Sequence, residues 1–174
     1  MQLTSYTDYS LRVLMYLGVR GQQQSSIAEI AKQYNISRNH LVKIVHKLAR
    51  EGFVRSQRGR SGGITLGCPP HAISVGEVVR RMEGDMPLVE CFRKATNRCP
   101  ITAVCRLGGI LAEARTNFLA TLDQYTLADL LTNQQQLSRM FSLTLGHNAL
   151  PNRPRAMARR TRPSVKARVG SVTA

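Results

Sequence analysis

Apolar positions along the first fifty residues recur at three- and four-residue steps. Tyr9, Val13, Leu14 and Leu17 mark a first helix over residues 4–20, with Thr4, Ser5 or Thr7 as its cap. After the polar connection Gly21-Gln22-Gln23-Gln24-Ser25, the run Ser26-Ile27-Ala28-Glu29 matches a capping box, in which the Ser and Glu side chains satisfy free N–H groups reciprocally. A short helix to about Tyr34 follows, and Asn35-Ile36 makes a turn. Ser37 then caps a helix with Leu41, Ile44, Val45 and Leu48 on one face and Arg38, Asn39, His40, Lys43, His46, Lys47 and Arg50 on the other. Two short helices joined by a tight turn, the second with a basic outer face, form the pattern of a helix-turn-helix over residues 26–51.

Beyond residue 52 the pattern turns strand-like. Phe53-Val54-Arg55-Ser56-Gln57 and Gly63-Ile64-Thr65-Leu66 flank the glycine-rich Arg58-Gly59-Arg60-Ser61-Gly62, which predicts a β-hairpin wing over residues 53–66. Cys68-Pro69-Pro70-His71 ends it, because proline cannot continue a central strand. Ser74 caps a helix to about Glu83 that offers Val75, Val78 and Val79 to the core, and Gly84 to Pro87 closes it. From residue 101 to about 123, Val104, Leu107, Leu111, Ala114, Phe118 and Leu122 trace a long helix, and Thr126 caps a short one through Leu131. The expected fold is mainly α with a small β-hairpin wing: a winged helix-turn-helix domain over residues 1–84, plus a long dimerisation helix that fills residues 101–132 together with the short helix after it. The stripe on the long helix is too apolar to leave exposed on a small domain, so it is expected to pair with its twin in a homodimer. Gly108-Gly109, which weaken a helix by about 1 kcal/mol each relative to alanine, suit a close helix contact.

Composition narrows the partners. At 174 residues and 43 % apolar content the chain is long enough for one domain with extensions. Its 25 Lys and Arg against 10 Asp and Glu give net +15, a field that draws polyanions such as nucleic acid or acidic membrane surfaces. Residues 148–174 carry seven of those charges among Pro151, Pro154 and Pro163 and read as a basic disordered tail; the rest of the chain stays basic without it. No apolar run approaches the ~20 residues that span a bilayer and no signal peptide is visible, so the expectation is a cytoplasmic chain, without a membrane partner, whose thiols stay reduced. On the helix-turn-helix the partner becomes DNA. Arg38 suits guanine and Asn39 adenine, with Ser37 and His40 beside them; Lys43 and Lys47 suit phosphates, and Arg58 and Arg60 at the wing tip suit phosphates or a narrow minor groove.

The remaining chemistry lies in the loop over residues 85–106, where Cys91, Cys99 and Cys105 stand within fifteen residues. Arg93, Lys94, Arg98 and Arg106 give them the positive setting that favours thiolates, which is unlike a hydrophobic cysteine cluster. A disulfide leaves one cysteine over and faces the wrong compartment, and zinc sites usually show paired C-x2-C knuckles, whereas the spacing here is C-x7-C-x5-C. An iron-sulfur cluster tolerates wide spacing because its irons sit at different corners of a larger object, but a fourth ligand is still needed. No cofactor loop, nucleophile–base pair or substrate-pocket signature is present, so an enzyme is not expected.

Several separated motifs carry a resemblance. Met1-Gln2-Leu3-Thr4-Ser5-Tyr6-Thr7-Asp8-Tyr9, Ile36-Ser37-Arg38-Asn39-His40-Leu41-Val42-Lys43-Ile44, Arg58-Gly59-Arg60-Ser61-Gly62-Gly63-Ile64, and the three cysteines followed by Tyr125-Thr126-Leu127-Ala128-Asp129-Leu130 resemble the NsrR-like nitric-oxide-sensing repressors. These belong to the winged-helix family that also contains the iron-sulfur regulator IscR. The resemblance spans residues 1–140 and implies one cluster per subunit, [4Fe-4S] or [2Fe-2S], on Cys91, Cys99 and Cys105. IscR-like members add a histidine three residues after the last cysteine, where this chain has Gly108; NsrR-like members add an aspartate of the first helix, supplied by the partner subunit, which corresponds to Asp8. By position alone Asp8 is a helix-start carboxylate favoured by the macrodipole, with Arg12 four residues on for an ion pair. Cys68 falls outside the implied ligand set and the basic tail outside the family pattern. The implied activity is that of a homodimeric repressor on a double-stranded DNA operator, expected as an inverted repeat, that releases DNA when nitric oxide modifies the cluster. A regulator of the same family sensing iron or cluster status, and a cluster-bearing redox protein, are the alternatives.

Overall fold

The computed structural model describes residues 2–57, 59 and 62–142. Arg58, Arg60 and the basic tail over residues 148–174 lie outside the described residues.

Helix α1 (Ser5–Arg20) starts at Thr4, whose hydroxyl accepts from the Thr7 N–H at 3.4 Å, and stops at Gly21, whose φ of 62° a side chain would disfavour. Helix α2 (Ile27–Tyr34) opens on the expected box: Glu29 N donates to Ser26 Oγ at 3.0 Å, and Ser26 N donates back to the Glu29 carboxylate at 3.4 Å. Glu29 also accepts from Tyr16 Oη at 2.7 Å, which ties α2 to α1; burial and that bond hold the Tyr16 phenol well above its ordinary range. Asn35 makes the turn in left-handed conformation, φ 52°, and α3 (Arg38–Arg50) follows. All four residues expected to face inward from α3, Leu41, Ile44, Val45 and Leu48, are buried. Ser37 occupies the cap position and its carbonyl accepts from Leu41 N at 3.0 Å, but its side chain makes no cap hydrogen bond.

The wing forms as expected. Strand β1 (Val54–Gln57) pairs antiparallel with β2 (Gly63–Leu66), Val54 opposite Leu66 and Gln57 opposite Gly63, and Ser25 adds a bridge to Ile64 through bonds of 2.9 and 3.1 Å. Helix α4 (Val75–Glu83) is capped by Ser74, whose Oγ accepts from Glu77 N. The long helix α5 (Arg106–Asp123) starts five residues later than its apolar pattern predicts. Side chains hold the preceding segment in turns: Thr102 Oγ1 donates to Cys99 O at 2.8 Å, and Asn97 accepts from Cys99 N while donating to Thr102 Oγ1, both at 3.0 Å. Such local bonds compete with helix.

Two further helices close the domain. Thr126 caps α6 (Leu127–Leu130) with its N–H and hydroxyl on the Asp129 carboxylate at 2.7 and 2.8 Å; α7 (Gln134–Met140) is an element the hydrophobic pattern did not predict. Phe141 behind α7 packs on Tyr16 and Tyr34, ring centroids 5.2 and 5.5 Å apart. The core joins Val13, Leu14 and Leu17 of α1 to Ile30, Leu41, Ile44, Leu48, Ile73, Val78 and Leu127. The chain thus leaves its core after Glu83 and returns at Tyr125, whose carbonyl accepts from Val75 N at 2.9 Å, while Leu127 N donates to Ile73 O at 2.8 Å. Between these points α5 lies along α4, close enough at Gly76 that a Cβ there would collide with the Asp123 carboxylate, which Arg80 holds at 3.1 Å. The fold is mainly α with a two-stranded wing.

Candidate functional site

The outer face of α3 is the first surface with chemistry. Ser37, Arg38, Asn39 and Lys43 are exposed, and the Arg38, Asn39 and Lys43 side chains make no hydrogen bond or ion pair among the described residues. Their donors are open to a ligand. His40 and Lys47 sit on the flank that meets α1. His40 packs against the rings of Tyr6 and Tyr9, centroids 6.3 and 5.5 Å away. Lys47 extends over the Tyr6 ring and donates to Met82 O at 3.1 Å, which tethers its ammonium to the domain with one of its three donors. Of the residues assigned to DNA, these two also make contacts between helices.

A junction that local sequence does not reveal lies at the end of α4. The Glu83 carboxylate accepts from Thr4 N at 3.1 Å and Thr4 Oγ1 at 2.9 Å, and from the hydroxyl of fully buried Thr7. It thereby satisfies free donors at the start of α1 from a distant part of the chain. One residue earlier Met82 O takes Lys47, and Arg81 bonds Glu51 at 2.9 Å, so the last turn of α4 grips both α1 and the recognition helix. Tyr6 completes the connection by donating to Lys43 O at 2.9 Å. Asp8 stands in this same first turn of α1. Its carboxylate pairs with Arg12 at 2.8 Å, the helix-start reading in structural form, and both side chains remain 44 % exposed. Arg12 in turn lies over the Tyr9 and Tyr34 rings.

The cysteine loop follows Glu83 and folds back on α5. Phe92 sits under the Arg115 guanidinium, 5.0 Å from its ring centre, and Met86 is buried. Cys91 lies in a short turn, Cys99 in the loop, and Cys105 at the cap position of α5; all three thiols are free and half-buried. Glu90 steadies the loop by accepting from Arg98 N at 2.8 Å. A Cβ at Gly108 would stand 3.9 Å from Cys91 Sγ, so position 108 borders this sulfur and, being glycine, offers it no donor. The donor set, three unpaired thiols on one loop with an empty position beside the first, suits a thiophilic group such as an iron-sulfur cluster. Among the described residues no group of three His, Cys, Asp or Glu side chains is gathered as a metal site.

Comparison with known proteins gives the family. The family described as Rrf2, iron-dependent transcriptional regulator, matches residues 3–133. The chain belongs to the Rrf2 family. It is 49 % identical over 144 residues to the HTH-type transcriptional regulator NsrR of Halalkalibacterium halodurans, covering 82 % of this chain and 99 % of that one. With NsrR of Bacillus subtilis it shares 47 % over 144 residues, with the same coverage. The IscR structure from T. potens superposes with a TM-score of 0.63 at 22 % identity, covering 84 % of this chain and 94 % of that one, a likeness of fold. As an Rrf2 regulator the protein acts in transcription through DNA and is not an enzyme. Among the described residues no helix is long and apolar enough to cross a membrane.

Proposed function

We propose that this Rrf2 regulator is a nitric-oxide-sensitive repressor that binds its operator as a homodimer and holds one iron-sulfur cluster per subunit. Cys91, Cys99 and Cys105 supply three ligands, and the partner subunit's Asp8 supplies the fourth. When bound, the group offers iron sites that react with nitric oxide, and a hard carboxylate on an iron otherwise held by sulfur is the ligand most readily displaced. The similarity to NsrR supports the assignment of effector and group.

The observation that carries the reading is the Glu83 junction. The loop bearing the cysteines begins directly after a residue bonded to Thr4 and Thr7, in the same helical turn as Asp8, and one side chain away from the recognition helix. Displacement of that loop pulls on the start of α1, and through Tyr6 and Lys47 on α3. Asp8 released from a ligand role has a ready counter-ion in Arg12. A dimer must hold two recognition helices about one turn of DNA apart, so a small shift at each junction spoils simultaneous binding. The dimer is supported by α5, none of whose residues is buried and which with its preceding turn exposes Ile101, Val104, Leu107 and Ile110.

The test is anaerobic purification with iron and sulfide counts, then DNA binding with and without nitric oxide. Asp8→Ala is expected to fold and bind DNA but to lose iron faster or respond less to nitric oxide. Unchanged cluster spectra and DNA release in that variant would remove Asp8 from the ligand set. Retention of DNA by the loaded wild type under nitric oxide would favour another effector, such as iron or cluster status, on the same scaffold.

A further inference from the structure

Most of the exposed large apolar side chains lie on α5 and its flanks and one, Met140, ends α7, but Val42 lies in the middle of α3, 39 % exposed. It belongs neither to the core nor to the residues packed against it. In a helix a β-branched residue gives up side-chain freedom relative to alanine or lysine, and at Val42 the burial that would offset that loss is incomplete and adds nothing to the core cluster. The core therefore gives no reason for valine at this position.

Its neighbours suggest a different reason. One turn before it on the same face stand Arg38 and Asn39, one turn after it His46, and beside it Lys43. Val42 and His46 line a shallow groove with Arg50 and Ser56 that runs from α3 toward β1 of the wing. An apolar side chain with Arg38 and Asn39 one turn before it and Lys43 beside it, on the face the proposed function turns toward DNA, suits the one apolar feature of the major groove, the C5-methyl of thymine. The geometry points to Val42 as a specificity-determining residue that reads a thymine in each operator half-site by methyl contact, while Arg38 and Asn39 are left to bond base edges. This inference rests on the assignment of α3 as the DNA reader.

Full-length protein, purified anaerobically, is used to select duplexes from a random library. Each thymine of the selected sequence is then replaced singly by deoxyuridine, which removes the methyl and keeps base pairing. Wild type is expected to lose about three- to tenfold in affinity at one thymine per half-site and little at the others. Val42→Ala, an exposed change whose helix content is checked by circular dichroism, is expected to bind the unmodified duplex with a similar loss and to show no further loss when that thymine becomes deoxyuridine. Equal sensitivity of both proteins at every position, or a wild type indifferent to every methyl, overturns the inference while leaving the DNA reader intact. Failure to enrich any sequence instead overturns the assignment of α3.

Discussion

In the proposed function Asp8 exchanges its Arg12 partner for a ligand role, and its surroundings set how readily it does so. Its bond to Arg12 is half-exposed and worth only tenths of a kcal/mol, too little to hold the carboxylate against a metal ligand site. Gly108 shows the complementary case. Because it borders Cys91 Sγ, Gly108→His places an imidazole beside the thiols, and in an Asp8→Ala background it is expected to restore iron retention, measured as iron per chain after gel filtration. An iron count equal to that of Asp8→Ala alone would argue against position 108 facing the group. Cys68 has a separate character. Burial, then Glu77, push its thiol above the ordinary range against the opposing Arg55. The folded state therefore keeps this proton more tightly than the unfolded chain. The resulting stabilisation is present below the thiol's unfolded range and declines as pH rises through it. Alkylation of Cys68 at pH 8, followed by mass spectrometry, is expected to be slower than that of a free thiol and to accelerate only in more alkaline buffer.

Elements specified by neighbouring residues were the readable ones. The Ser26–Glu29 box and the inward stripe of α3 depend on positions three or four apart and the turn on Asn35 itself, and each forms where the sequence predicts it. The start of α5 was not readable, because apolar spacing continues through residues 101–104 while Asn97 and Thr102 hold that stretch in turns. Helix α7 was missed because its run Gln134-Gln135-Gln136 carries no apolar period; it is fixed instead by Phe141 against Tyr16 and Tyr34. The thiol spacing was visible, whereas the Glu83 junction joins residues 76 and 79 positions apart and has no local signature. Glu83→Ala leaves three donors at the start of α1 without this partner, one of them on buried Thr7, and is expected to cost about 1–3 kcal/mol in chemical denaturation. Glu83→Gln should recover part of that loss. Gly76→Ala sets a methyl against Asp123 and is expected to destabilise the packing of α5 on α4 by about 1–3 kcal/mol.

At the scale of the molecule, the protein divides into a packed reader and a helix with no core of its own. On the proposed dimer, Leu107→Asp with Ile110→Asp places charge on the exposed stripe of α5 and is expected to reduce the mass in light scattering from twice to once that of the 19.3 kDa chain, with the fold retained. A variant that keeps a dimer's mass would argue against α5 as the contact between subunits. The path of the chain is the reason the fold is expected to survive such changes. Residues 84–124 leave the reader at one end of α4 and rejoin it at the other, across a nine-residue helix about 13 Å long. A gap of that size is spanned by a handful of residues. The excursion over residues 84–124 is thus topologically separable: its two ends meet the packed body within a short linker's reach of one another.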